Sequence, residues 1–378
     1  MTNLIKIFES DFDKNEIKAV EKVLESGWLT NGKITQSFEK KIKTTFLGNE
    51  ADAVAVSSCT AALHLALLAS KVGRGDEVIV PALTFVSDFN VVKSVGAKPI
   101  LCDVDSLSEW SPNLENIKKV TTKKTKACIL VHFAGIPCKD ILNIKKFCKK
   151  NKIILIEDVA HAPGAKIFNQ SCGSIGDFGT FSFYSNKNFS TGEGGAVSSK
   201  KNIDLLKRIR SHGMTSSTLD REKGRIFSYD VSEIGLNYRI DEIRSALGIE
   251  QIKKISKKNK IRRKILITYL ENLPESIISP HKLALSNPNI SSVDHIMPIL
   301  LPLGIKKEKV VNHLKTQNIQ TTMHYPAPWN FSAYKGFFSK KENSISEEII
   351  SRELTLPLHT LMSQKDAKKV CDEIKKVI

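Results

Sequence analysis

The chain has 378 residues, 41% of them hydrophobic and 26% charged, enough to bury a sizeable core in one large and one small domain. Lys and Arg number 57 against 40 Asp and Glu, a formal charge of +17. The surplus is spread along the chain without an aromatic-interleaved basic motif, so nucleic acid is not an expected partner. No apolar run reaches the roughly 18 residues of a membrane span, and MTNLIKIFESDFDKNE meets acids early; no membrane insertion and a cytoplasmic location are expected. The seven cysteines contain no CxxC pair and read as reduced thiols without a zinc site.

In chain order, Ile17, Val20, Val23 and Leu24 fall at helical spacing, and the run breaks at Gly27. The stretch GWLTNGKITQSFEKKI then sets Trp28, Leu29 and Thr30 among glycines before a new helix carrying Phe38. Ala53 to Val56 is a short apolar strand, and SSCTAALHLALLASKV is a helical run opening on small residues. Strand, small-residue turn and helix start together make an anion site, because free N–H groups and the helix dipole point at whatever sits there. Thr60 and Ala61 lie at its centre. Glu77 to Pro81 is the next strand, and Phe85, just past its end, either covers a flat ring by stacking or fills the core. Strands at Lys98 to Val104 and Ala127 to His132, with helical sequence between, give the order of a mostly parallel sheet covered by helices.

The stretch from Ile153 to Ser199 carries the chemistry. Its β-branched run stops abruptly at Glu157 and Asp158, as a buried parallel strand does, which puts Asp158 where open α/β sheets place ligands. A second strand, Thr180 to Tyr184, leads into Ser185, Asn186 and Lys187, then into Gly192-Glu193-Gly194-Gly195. An acid and a lysine at neighbouring strand ends are what a pyridoxal phosphate (PLP) enzyme requires: the lysine bonds the cofactor, and the acid keeps the pyridine nitrogen protonated. Taken singly, Asp158 also reads as a helix N-cap and Lys187 as a solvated surface lysine. EDVAHAPGA, GSIGDFGTFSFYSNK and TGEGG, in that order, resemble the DegT/StrS-type sugar aminotransferases, a family of fold-type I PLP enzymes.

The resemblance implies an α/β fold with an aspartate-aminotransferase-like large domain over residues 1–248, and a linking helix with a small C-terminal α+β domain over 249–378. It implies PLP as cofactor, with pyridoxamine phosphate formed in turnover. It makes Lys187 and Asp158 catalytic, and puts Thr60, Ala61, Phe85, His161, Ser182 and Asn237 on the cofactor. Weaker substrate-side candidates are Trp28, Leu29, Thr30, Tyr238, Arg239, His324 and Tyr325. Where the family usually has glycine, this chain has Cys59, which bears on the shape of the phosphate turn.

Beyond Lys200 a helical run, Ile203 to Arg210, precedes a long polar loop ending in GLNYRIDEIRSALG. By resemblance this motif reaches the cofactor of a neighbouring subunit in a homodimer with shared active sites. The residues alone also allow a helix capped by Asn237, with Arg239 paired to Asp241 or Glu242. From about Gly248, Ile249, Ile252 and Ile255 begin a long amphipathic helix; Pro280 to Ser292 reads as a loop. The activity implied is transfer of an amino group from an amino acid, L-glutamate, to a nucleotide-linked keto-deoxysugar, making an amino sugar for a surface polysaccharide or glycan. Two relatives of that activity are a PLP-dependent sugar dehydratase, in which histidine replaces the lysine, and a non-catalytic sugar-nucleotide-binding regulator. Lys187 weighs against the first, and Asp158, Ser182, Lys187 and Asn237 together against the second.

Overall fold

A computed structural model describes residues 4–216, 224 and 228–378. Seven strands, β1 (Asp52–Val56), β2 (Glu77–Pro81), β3 (Lys98–Cys102), β4 (Thr125–Val131), β5 (Ile154–Asp158), β6 (Phe178–Ser182) and β7 (Gly195–Ser199), form one sheet in the order β1-β7-β6-β5-β4-β2-β3. The pairs β2/β3, β2/β4, β4/β5 and β5/β6 are parallel, whereas β7 runs antiparallel to both β6 and β1. Val78, Ile79, Val80, Ile129, Leu130, Leu155 and Ile156 are fully or almost fully buried, which is why these strands read as continuous apolar runs. Each such side chain contributes about 1.5–3 kcal/mol by leaving water.

Helices α1 (Lys14–Ser26), α2 (Lys33–Ile42), α3 (Cys59–Ala69), α4 (Ser87–Ser94), α5 (Leu114–Val120), α6 (Ile141–Lys150) and α7 (Ile203–Ile209) precede the long α8 (Glu242–Asn272). Local chemistry sets their ends. Asp13 and Glu16 form a capping box at the start of α1, and Gly27 closes it in the left-handed region at φ 67°. Asp241, not Asn237, caps α8 by accepting from Arg244 N at 2.8 Å, so this helix begins before the expected Gly248. Glu242 turns away to the start of α2, where it accepts from Gly32 N (2.9 Å), Ile34 N (2.8 Å) and Thr35 N (2.7 Å).

The C-terminal half of α8 buries Ile265, Leu266 and Tyr269 in a second core with α10 (Lys307–Thr316), α12 (Gln364–Lys375) and the antiparallel strands β8 (Met297–Leu300) and β9 (Glu353–Leu356). Ile5, near the other end of the chain, joins this core and bridges Ile319. The segment expected to be a loop from Pro280 instead forms α9 (Pro280–Ser286), followed by a two-residue strand at Ile290–Ser291. Its proline occupies the first helical turn, where the missing N–H costs nothing and the fixed φ is already helical. A further helix, α11 (Ser344–Arg352), leads into β9.

Candidate active site

At the C-terminal ends of β2, β5 and β6 lies a cavity of about 580 Å³, lined on the sheet side by Ser58, Cys59, Thr60, Thr84, Phe85, Asp158, His161, Ser182 and Lys187. Met323, His324 and Tyr325 close it from the C-terminal region. Eight of the sequence candidates are thus brought together: Thr60, Phe85, Asp158, His161, Ser182, Lys187, His324 and Tyr325.

Glycines at two places let these elements meet. Glu157, wholly buried one residue before Asp158, accepts from Gly173 N (2.9 Å), Ile175 N (2.8 Å), Gly176 N (2.7 Å) and His132 Nε2 (2.9 Å). Because His132 Nδ1 accepts from Cys138 N, the proton sits on Nε2 and is donated to Glu157. Hydrogen bonds to a charged acceptor contribute about 1.5–3 kcal/mol each, so four of them offset the several kcal/mol lost on burying one carboxylate. This is the work of the GSIG turn. Gly195 lies where an added Cβ would stand 2.5 Å from the Ser58 carbonyl carbon, so only glycine lets β7 pass the start of α3.

Asp158 is 5% exposed; its Oδ1 accepts from Ala160 N at 2.8 Å, with Cys59 Sγ at 3.9 Å. Burial raises its carboxyl above the usual range, opposed by the Ala160 hydrogen bond and by Lys187. Lys187 is pulled down to about 8 by burial, with Asp158 pulling the other way. A neutral amine is thereby accessible near neutral pH. His161 accepts from Ala134 N on Nδ1 (3.3 Å), so its Nε2 carries the proton and donates to the Tyr325 hydroxyl at 2.8 Å. Burial holds His161 well below its ordinary pKa and brings His324 down to about 3, so both imidazoles are neutral. His324 Nδ1 lies 2.9 Å from Thr355 Oγ1. Phe85 is 52% exposed and tilts against Tyr325 at 5.6 Å between ring centroids, standing over the opening rather than in the core. Cys59 keeps its thiol protonated, because burial and the nearby Asp158 and Asp88 raise it. It lies within helical backbone, not at positive φ, so this position makes no demand for glycine.

The remaining candidates lie elsewhere. Ala61 is buried behind the turn, and its N–H donates to Ser58 Oγ at 3.1 Å. Trp28, Leu29 and Thr30 do not line the cavity; Leu29 O accepts from Glu242 N, tying their loop to α8. Asn237 is exposed and bridges Ser211, Tyr238 places its hydroxyl 2.9 Å from His64 Nδ1, and Arg239 bridges Val56. Thr84, Ser87 and Met323 also line the cavity and carried no sequence signal of their own.

The cavity suits PLP by its donor set: an acid at a strand end for a pyridine nitrogen, a lysine whose amine titrates near 8, and a helix start beside Ser182 for a phosphate. Asn186 Oδ1 is also buried without a hydrogen-bond partner, a polar group left for a ligand. The strand order, with β7 alone reversed, is that of the fold-type I PLP enzymes. The profile of the DegT/DnrJ/EryC1/StrS aminotransferase family matches residues 10–375, and the chain belongs to that family. It is a PLP-dependent sugar aminotransferase by class.

Among curated relatives it is 31% identical to GDP-perosamine synthase of Escherichia coli O157:H7, covering 98% of this chain and 97% of that protein. It is 32% identical to the spore coat polysaccharide biosynthesis protein SpsC of Bacillus subtilis, covering 97% and 95%. Among solved structures, PseC of Helicobacter pylori, an aminotransferase in pseudoaminic acid biosynthesis, superposes with a TM-score of 0.89 at 26% identity, covering 99% of each chain.

Proposed function

We propose that this protein aminates the keto group of a nucleotide-linked deoxysugar, taking the amine from an amino acid, L-glutamate, to make an amino sugar for a surface polysaccharide or glycan. The observation that carries the reading is the pairing of buried Asp158 with Lys187 on one cavity. When bound, PLP supplies the electron sink that stabilises negative charge at the amine-bearing carbon of the substrate. Lys187 would bond the cofactor until the amine of the donor takes its place, and the lysine amine so freed would take the proton from the amine-bearing carbon and deliver it to the cofactor carbon that had held the lysine. Asp158 holds the pyridine nitrogen protonated. The first turn of α3 at Thr60, with the Ser182 hydroxyl, receives the phosphate, while Phe85 covers the ring. His161, fixed by Ala134 and Tyr325 with its proton on Nε2, orients the ring's polar edge.

The working unit is a homodimer in which Asn237, with Tyr238 and Arg239, completes the partner's site, and the Trp28 to Thr30 loop borders the sugar. Exposed apolar residues support this reading: Ile234 is 95% exposed just before Asn237, and Ile17, Leu24 and Leu29 exceed 40%. The cationic surface attracts the diphosphate of a nucleotide sugar. The cytoplasm is the proposed compartment: the seven cysteines are free thiols, and no helix among the described residues is long and apolar enough to cross a membrane.

Absorption spectra of the purified protein before and after L-glutamate test the donor half. The visible band of lysine-bound cofactor is expected to give way to the ultraviolet band of pyridoxamine phosphate; a band unmoved by glutamate but moved by another amino acid would replace the donor. A screen of nucleotide-linked keto sugars on the aminated form then tests the acceptor. For the shared site, equal amounts of the inactive variants Lys187→Ala and Asn237→Ala, unfolded and refolded together, are expected to recover about a quarter of wild-type activity, because half of the dimers are mixed and one of their two sites is intact. No recovery in proven heterodimers contradicts it.

A further inference from the structure

The segment that enters β8 passes directly behind the site. His295 is 2% exposed, and its main chain is held on both sides: its N–H donates to Ala134 O at 3.0 Å, and its carbonyl accepts from Arg262 Nη1 at 3.2 Å. Gly135 makes room for this approach, since a Cβ there would stand 3.0 Å from His295 N. The His295 ring lies against that of His161, with centroids 4.4 Å apart. Its Nδ1 is 2.9 Å from Oδ1 of Asn188, the residue that follows Lys187. Neither Asn188 nor His295 lines the cavity, and the chemistry assigned above uses neither.

The proton between them can be placed. Asn188 Nδ2 lies 2.8 Å from Val293 O and 3.1 Å from Asn259 Oδ1. A carbonyl oxygen only accepts, so the atom facing Val293 is the amide nitrogen and the one facing His295 is the oxygen. His295 Nδ1 therefore carries the proton and donates it. Burial holds the imidazole well below its ordinary pKa, so Nε2 is a bare acceptor, and it is buried without a hydrogen-bond partner. A polar atom left so costs about 1–3 kcal/mol. A phenylalanine would fill the same space without that cost, so the ring is explained by its one N–H rather than by its bulk.

We propose that His295 is a positioning residue that couples the Lys187 turn to His161: its N–H fixes Asn188, and its ring backs the His161 imidazole. His161 is bonded at both nitrogens, by Ala134 N and by Tyr325, but two in-plane bonds leave the ring free to tilt about the line joining them. A ring packed against its face removes that freedom. On the other arm, the side chain of Asn188 makes three hydrogen bonds one residue from Lys187. Misplacing a reacting group by about an ångström slows a reaction by about 10²-fold, so both arms bear on the chemistry without touching a ligand. The proposal rests on Lys187 and His161 both serving the cofactor, and one of its two readouts needs no cofactor.

Two variants divide the arms. His295→Asn sets an amide nitrogen where Nδ1 stood, keeping a donor for Asn188 while removing the ring behind His161. His295→Phe keeps a ring there and leaves Asn188 without its donor. The first readout is hydrogen exchange at His161 Nε2–H in the cofactor-free protein, followed by NMR with isotope-labelled histidine. Exchange is expected to be about tenfold faster in His295→Asn and within about threefold of wild type in His295→Phe. The second is the rate at which the protein bonds PLP at saturating PLP, followed by the visible band. Here His295→Phe is expected to be about tenfold slower, with the half-saturating PLP concentration unchanged, and His295→Asn within about threefold of wild type. That crossed pattern supports the proposal. Wild-type behaviour of both variants, or loss of both properties in both, as a general loosening of the core would give, overturns it. If either variant does not fold, Asn188→Asp, which keeps an acceptor for His295 but loses the donor to Val293, takes its place in the second readout, and bonding at the wild-type rate then overturns the proposal. Should the exchange result appear while PLP proves to be bonded to another lysine, it is the reading of the site that fails.

Discussion

Glu157 and Asp158 are neighbours on β5, both buried and both acidic, yet they are built into opposite circumstances. Glu157 points to the side where the GSIG turn folds back, and every direction around it is filled by a donor: three backbone N–H groups and His132. Asp158 lines the cavity with one backbone donor on its carboxylate and a lysine on the same wall. A buried carboxylate whose acceptor capacity is saturated organises the fold; one left short of donors beside an opening is held ready for a ligand. The period of two along a strand is what separates them.

That contrast can be broken by substitution. The largest effect is expected at the lysine facing Asp158: Lys187→Ala should lower turnover by about 10³-fold or more, with the unfolding temperature of the cofactor-free protein almost unchanged. Retained turnover would remove Lys187 from the chemistry. Next, Asp158→Asn should slow turnover by about 10²-fold while the fold persists. Glu157→Gln should do the reverse, losing about 3 kcal/mol of stability, since an amide nitrogen meets backbone donors, with turnover per folded molecule nearer to wild type. Denaturant titration and steady-state kinetics on both variants separate the two, and equal behaviour would erase the distinction. The smallest effect concerns pH. Burial lowers Lys187 to about 8, so its neutral, reactive amine is available below the ordinary lysine range. The rate of PLP uptake by the cofactor-free protein should rise with pH to a midpoint near that value; a midpoint beyond about 10 would mean a solvated lysine.

Much of the sheet and the cofactor half of the cavity were legible in the sequence, because a parallel strand announces itself as an apolar run that stops at polar residues. That signal puts Asp158 at a strand end, a small-residue turn opening a helix marks Thr60, and the resemblance carried by EDVAHAPGA, GSIGDFGTFSFYSNK and TGEGG singles out Lys187. What was not legible depends on contacts distant in sequence. Glu157 looks interchangeable with Asp158 until the GSIG turn closes on it. His324 and Tyr325 reach the cavity only because the C-terminal region folds back over the sheet, where Tyr325 meets His161. Pro280 misled in the other direction, since a proline breaks a helix interior but suits a helix start. The Trp28 loop drew attention through its aromatic and glycines, yet within one chain its glycine serves the turn that Glu242 fastens.

The most direct test of the account is to reduce the PLP-loaded protein with borohydride, digest it and locate the pyridoxyl group by mass spectrometry. The result expected is a single modified peptide bearing the group on Lys187. A pyridoxyl group on any other lysine, with Lys187 unmodified, would contradict the pairing of Asp158 and Lys187 on which the reading of the site stands.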